Sequence, residues 1–236
     1  MPELALADGT RLPYELKRSS KRRSIGLRIG EQGLVVSIPQ RLSLRELDAL
    51  LQSKRDWIQQ KVQQQAAARV PAMHWQDGET LWLLGSALPL SVAADSRNRA
   101  IHSDGSRVDV RLTDIGDTAM IKRRVTHWYK QLAMVDFSRR TELLVQKLGL
   151  PTPPIALSSA RSRWGSCNSK GEIRLNWRLI QAPPHIIQYV IAHELAHLKE
   201  MNHSARFWAI VAQLFPRYRE AEAELRQLSR QLHRID

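Results

Sequence analysis

The sequence predicts an α+β fold, and three observations predict it. Short apolar pieces broken by glycine and proline fill residues 14–38 and 79–112, as in "SIGLRI", "GLVVSIP" and "LPLSVAA", a pattern that marks small sheets. Longer stretches between and after them carry apolar residues at helical intervals. The helical stretches gather toward the C-terminus, so helices and strands are segregated along the chain rather than strictly alternating. With 236 residues, the chain can hold one large domain or two smaller ones with real cores.

Residues 14–38 read as a small antiparallel sheet. "SLRE", Ser43 to Glu46, has the spacing of a capping box and opens one long helix. Its apolar positions, from Leu44 through Leu47, Leu51, Trp57, Ile58 and Val62, continue to a Gln- and Ala-rich end near residue 68. Residues 79–112 return to strands, with "SDGS" at 103–106 as a hairpin turn. A second long helix spans about 119–148 and is stopped by Gly149 and Pro151. Two strands, in "PIALSS" and "GEIRLNW", flank the polar segment "RSRWGSCNSKG". Helices near 183–201, 204–215 and 217–233 complete the chain. No internal repeat is visible. The composition shift places a domain boundary near residue 115, separating a β-rich N-terminal region with one long helix (1–114) from a mostly helical C-terminal domain (115–236).

Composition narrows the function classes. No apolar run approaches the roughly 18–20 residues that span a bilayer, and the start "MPELALADGT" shows no secretory leader. A membrane partner is therefore not expected. The single cysteine, Cys167, excludes an intrachain disulfide and fits a reducing compartment, so the expected location is cytoplasmic. The net charge is +13. Residues 1–70 hold 13 basic against 7 acidic side chains, with a tight cluster at Lys17, Arg18, Lys21, Arg22, Arg23 and Arg28. Such a balance attracts polyanions, nucleic acid among them, although it equally serves as a solvated surface and no recognised nucleic-acid motif accompanies it.

The chemistry concentrates in "VIAHELAHLKEMNHSARFW", residues 190–208. The helix that begins after Pro183 and Pro184 is apolar around most of its circumference, through Ile186, Ile187, Val190, Ile191, Leu195 and Leu198, so it belongs in the interior. His193 and His197 lie one turn apart on that helix, separated by about 6 Å of rise, and point from one face. Two imidazoles so placed can share a Zn2+ ion. Glu194 stands beside the first, able to hold a water in the open coordination position. His-Glu-x-x-His has a known mechanism: the ion polarises the scissile carbonyl and acidifies its water, and the glutamate moves the proton to the leaving amine. Ionisable groups without partners in an apolar helix would be costly.

A catalytic zinc needs a third protein ligand. His203 is the nearest candidate, if Asn202 releases the helix in a left-handed conformation and Ser204 caps the next helix. Glu220, Glu222 and Glu224 are the rivals, and the short reach favours His203. His74, His102, His127, His185 and His233 show no ligand spacing. Cys167 reads as a small apolar residue rather than a zinc thiolate. Arg161, Arg163, Trp164 and Asn176 are cleft or scaffold candidates, and Tyr218 or an arginine could stabilise an oxyanion.

The run "RWGSCNSKGEIRLNWRLIQAPPHIIQYVIAHELAHLKEMNHSARFW", together with "RSIGLRI", "GLVVSIP" and "KRDWI" nearer the N-terminus, resembles the YgjP-like metallopeptidases, relatives of the SprT-like zinc proteases in the zincin group. The resemblance covers most of the chain. It implies a zincin-like metallopeptidase core, a small sheet plus an active-site helix and C-terminal helices. It also implies zinc ligands at His193, His197 and His203 and a general base at Glu194. The metzincin proteases share the histidine spacing but carry glycine where this chain has Glu200, which favours the YgjP and SprT side. The strand "GEIRLNW" is the expected cleft edge for an extended peptide.

The leading expectation is a zinc metallopeptidase that acts on a protein or peptide substrate. An SprT-like protease acting on nucleic-acid-bound proteins is the alternative, and a non-catalytic zinc scaffold is disfavoured because structural sites usually close with four protein ligands.

Overall fold

The computed structural model describes residues 2–30, 33–67, 70–95 and 101–235. These form six helices and three small sheets, so the α+β expectation holds. The chain divides into two compact units, Met1–Arg69 and Val70–Asp236, each around its own apolar core.

In the first unit, β1 (Glu3–Ala5), β2 (Arg11–Ser19), β3 (Gly26–Gly30) and β4 (Gly33–Pro39) pair in the order β1-β2-β4-β3. The sheet expected to be antiparallel is mixed, because β2 and β4 run parallel. The β3–β4 hairpin folds back so that β4 takes an interior position beside β2. β4 is the strand that buries alternate residues most completely, at Leu34, Val36 and Ile38, as one core-facing side of a pleat should.

Two helices, α1 (Leu44–Ser53) and α2 (Arg55–Ala67), replace the single long helix expected here. Lys54 leaves helical geometry at φ −104° and ψ 5°. The bend lets Leu47 and Leu51 of α1 and Ile58 of α2 all reach one core while Trp57 stays exposed. Residue 68, where the helix was expected to end, lies outside the described residues.

The capping box is present. Ser43 Oγ accepts from Glu46 N at 3.2 Å, and the Glu46 carboxylate accepts from Ser43 N at 3.0 Å. Ser43→Ala removes half of this reciprocal pair and is expected to destabilise the first unit by about 1 kcal/mol. Urea unfolding followed by circular dichroism measures it, and an unchanged midpoint would show the cap to be idle.

The second unit opens with β5 (Thr80–Leu83), β6 (Ser86–Ala94), β7 (His102–Ser103) and β8 (Val108–Leu112), in the order β5-β6-β8-β7. Strand order and pairing sense repeat those of the first sheet: antiparallel, parallel, antiparallel. The duplication is one of topology only, invisible in the sequence. The "SDGS" turn joins β7 to β8 with Gly105 at φ 87°.

Leu81, Leu88, Leu90, Val108, Val110 and Leu112 pack into one core with α3 (Thr118–Gln146) and α4 (Pro184–Ala196). The boundary expected at residues 114/115 therefore falls inside the second unit, because these strands bury their apolar faces against the helices that follow them.

α3 is capped by Asp117, whose side chain accepts from Met120 N, and buries Ile121, Val125, Tyr129, Ala133, Phe137 and Thr141, one residue per turn. A third sheet, β9 (Ile155–Ser158), β10 (Gly165–Cys167) and β11 (Ile173–Asn176), is ordered β10-β11-β9. β10 arises inside the segment read as a polar connection. β11, expected as the cleft edge, is the middle strand, parallel to β9 and antiparallel to β10.

A 3-10 turn at Trp177–Gln181 leads into α4, followed by α5 (Ala205–Leu214) and α6 (Tyr218–Leu232). The β5–β6 hairpin tip holds this approach in place. Leu84 at φ 50° and Gly85 at φ 85° form a turn with both central residues left-handed. Their N–H groups donate to Ile180 and Gln181 carbonyls at 2.8 and 3.1 Å. Among the described residues no helix is long and apolar enough to cross a membrane.

Candidate metal centre

α4 is the interior helix of its unit. Ile186, Ile187, Val190, Ile191, Ala192, Leu195 and Ala196 are buried around its circumference, as a helix without a polar face must be. It ends sooner than the expected residue 201. His197 is its C-cap, still helical at φ −65° and ψ −19°, and 3-10-type bonds from Leu198 and Lys199 tighten the end. The one-turn relation of His193 and His197 survives, and their ring centroids lie 5.3 Å apart.

The chain then turns back without the left-handed Asn202 expected, since Trp75 and Leu84 are the described non-glycine residues with positive φ. Asn202 Oδ1 instead accepts from Ser204 N at 3.1 Å, an Asx-type turn that does the same work. Ser204 caps α5 through Phe207 N. This brings the His203 ring within 5.1 Å of His193 and 4.9 Å of His197.

One ring nitrogen from each of the three histidines lies within 4.8 Å of the others. His193 Nε2 and His203 Nε2 face each other at 3.2 Å. Two nitrogens bound tetrahedrally to one zinc at ~2.0–2.1 Å stand about 3.3 Å apart, so this pair already has ligand spacing. His197 Nδ1 faces the Glu200 carbonyl at 3.2 Å. Donation there fixes the tautomer that leaves Nε2 free, the usual support for a metal-binding imidazole.

Burial, with His197 and His203 beside it, lowers the His193 pKa to about 4. Burial is also the main influence lowering that of His197. Both rings are thus neutral near pH 7, the form in which imidazole offers a lone pair. The donor set fits a divalent ion of borderline softness.

Phe207 was missed by sequence reasoning and forms the floor. Its fully buried ring lies 4.9, 4.6 and 4.7 Å from the rings of His193, His197 and His203. The only sequence signal was its place as third residue after the capping serine.

Glu194 points elsewhere on α4 and is 5% exposed. Burial pushes its pKa up to about 8, against the opposing pull of Arg163. It lies against Gly165 of β10, where a built Cβ would come within 2.6 Å of Glu194 Cδ and Cγ.

Several sequence candidates fall outside this constellation. Glu220 pairs with Arg217, Glu222 with Arg226 and Glu224 with His185. The Cys167 thiol, its pKa raised by burial and by Glu194, donates to the Asn168 carbonyl and does not join the three histidines. Asn176 is a bracket rather than a cleft residue: fully buried, it donates to the carbonyls of Ala160 and Arg163 and accepts from Arg178 N. Trp164 packs on His233. Tyr218 stacks on Trp208, and its hydroxyl accepts from Arg219.

A helix that presents two imidazoles to a third across a turn, inside an α+β core, has the build of a metal-dependent hydrolase. The sequence matches the YgjP-like family, metallopeptidase domain, over residues 23–228, and the chain belongs to that family. It is similar to a UTP pyrophosphatase of Escherichia coli (strain K12), 31% identical over 92 residues. That similarity covers 39% of this chain and 52% of the relative, so the chain spans about half the length of the curated relative it matches. Among solved structures it is similar to the metallopeptidase zymogen of Pyrococcus abyssi abylysin, at 25% identity and a TM-score of 0.37, covering 40% of this chain and 96% of the other.

Proposed function

We propose that this protein is a zinc-dependent peptidase with a zincin-like core, which hydrolyses peptide bonds in a protein or peptide substrate. The convergence of three imidazoles, with the buried Glu194 next in sequence to the first of them, supports this most directly. His193, His197 and His203 hold the ion. When bound there, zinc supplies Lewis acidity, polarising a carbonyl and acidifying a coordinated water.

Glu194 would accept a proton from the attacking water and pass it to the leaving amine. A carboxyl whose proton affinity is raised by burial suits both halves of that exchange. The outer edge of β10 suits an extended substrate. Trp164 O accepts from Asn176 N, and Asn168 N donates to Glu172 O. With the register of β10 on β11, that alternation aims the N–H and C=O groups of Gly165 and Cys167 away from β11, where another strand could pair.

The experiment is zinc quantification on the purified protein, with cleavage of unfolded casein measured before and after chelation and zinc return. Stoichiometric zinc and restorable cleavage support the reading; a protein that retains no divalent ion overturns it.

The curated relative's name favours a second reading, hydrolysis of a nucleoside triphosphate's phosphoanhydride. Arg163, close enough to act on Glu194 electrostatically, would attract such an anion. Pyrophosphate release from UTP, assayed beside casein cleavage on the same zinc-loaded preparation, separates the two.

The basic cluster favours a nucleic-acid partner that confines proteolysis to proteins on it. Lys17 and Arg28 occupy the solvent face of the first sheet, and Lys21, Arg22 and Arg23 are exposed in the loop beside it. DNA affinity is then expected to fall steeply with salt and to be lost when Lys21, Arg22 and Arg23 are neutralised. No binding at low salt removes this alternative.

A further inference from the structure

Gly165 stands in a strand, where glycine is disfavoured because it adds backbone entropy and packs nothing. Its backbone gives no reason for the choice, since Gly165 is absent from the glycines with positive φ and an alanine could adopt its conformation. Its place in the ladder gives none either. Gly165 pairs with Leu175 at a position whose own N–H and C=O point away from β11, so no pairing bond depends on it. The reason is space. The three nearest atoms to a Cβ at this position are Cγ, Cδ and Oε1 of Glu194, the first two at 2.6 Å and the oxygen closer still.

Glu194 has little room to move away. It is 5% exposed, with buried Ile187, Val190 and Ile191 along its own face of the helix and buried Leu195 next to it. Cys167, two residues along β10 and on the same face, is near enough to feel its charge.

We propose that Gly165 is a positioning residue, whose missing side chain makes the cradle that sets the Glu194 carboxylate in its working place. This rests on the reading of Glu194 as the general base. Any side chain at residue 165 displaces that carboxylate while leaving His193, His197 and His203 untouched. Metal binding and base placement therefore separate at this position, and Gly165 is specific to the second.

The test is a double-mutant cycle on the full chain with two readouts. In metal-free protein, Gly165→Ala is expected to lower Tm by about 3–8 °C through overpacking. In a Glu194→Ala background the same change is expected to cost nothing, since the group it strikes is gone. In zinc-loaded protein, Gly165→Ala is expected to keep full zinc stoichiometry and KM for unfolded casein while turnover drops roughly 100-fold, the scale of a 1 Å misplacement.

An equal Tm loss in both backgrounds, or wild-type turnover in Gly165→Ala, overturns the proposal. Should Gly165→Ala fail to fold, folding of the double variant supports the proposal and its failure overturns it. The Tm cycle reads the contact without any chemistry. A fully active Glu194→Gln would thus sink the general-base reading in a way distinguishable from loss of the contact.

Discussion

Glu194→Gln is expected to lower turnover by about 10²–10⁴-fold, the range of a positioned proton carrier, while zinc content stays at the wild-type level. Glutamine has the same shape, so it still fits against Gly165 and leaves the packing of α4 intact. It cannot accept a proton at neutral pH. Because Glu194 is 5% exposed and its ionised form is disfavoured by burial, the neutral amide is also not expected to destabilise the fold. Unchanged Tm, unchanged zinc and lost turnover form the expected triple, read by thermal denaturation, elemental analysis and initial rates. Turnover within a factor of two of wild type would remove Glu194 from the chemistry.

The second large effect is at His203. His203→Ala is expected to weaken zinc binding by roughly 10³-fold or more, beyond the 10–100-fold cost of losing a mere supporting group. Competition with a chromogenic chelator measures it. His203 is the clean choice among the three because it is exposed, in the turn before α5, whereas His193 is wedged between Tyr189, Phe207 and Trp208. Its truncation therefore changes coordination with little effect on folding. Affinity within tenfold of wild type would reopen the case for a glutamate of α6, although Glu220 and Glu222 each pair with an arginine and Glu224 with His185.

The two predictions draw on residues that were legible in the sequence for a physical reason. His193, Glu194 and His197 are related by helical repeat alone, and their helix announced itself by apolar residues on every side. His203 needed just one short turn, and Ser204 marked where the next helix would start. Ser43 with Glu46 and the "SDGS" turn were likewise readable, because their bonds close within three or four residues.

What stayed hidden depends on pairing between distant parts. "GSC" has no alternation of its own and becomes a strand only because β11 lies beside it. The parallel β2–β4 pairing, the bend at Lys54 and the core shared by residues 80–112 with α3 all follow from where apolar faces meet, which spacing along the chain does not encode. Phe207 and Gly165 escaped for the same cause. Each acts through a neighbour more than ten residues away, the one by filling space and the other by vacating it.

Phe207 carries a consequence for how the protein and its ion meet. One rigid aromatic plate touches all three imidazoles, so the rings are seated by folding rather than gathered by the guest. The ordering cost of assembly is then met before the ion arrives. Loading and unloading should accordingly proceed without remodelling the surrounding chain, as with a socket cut to gauge in advance.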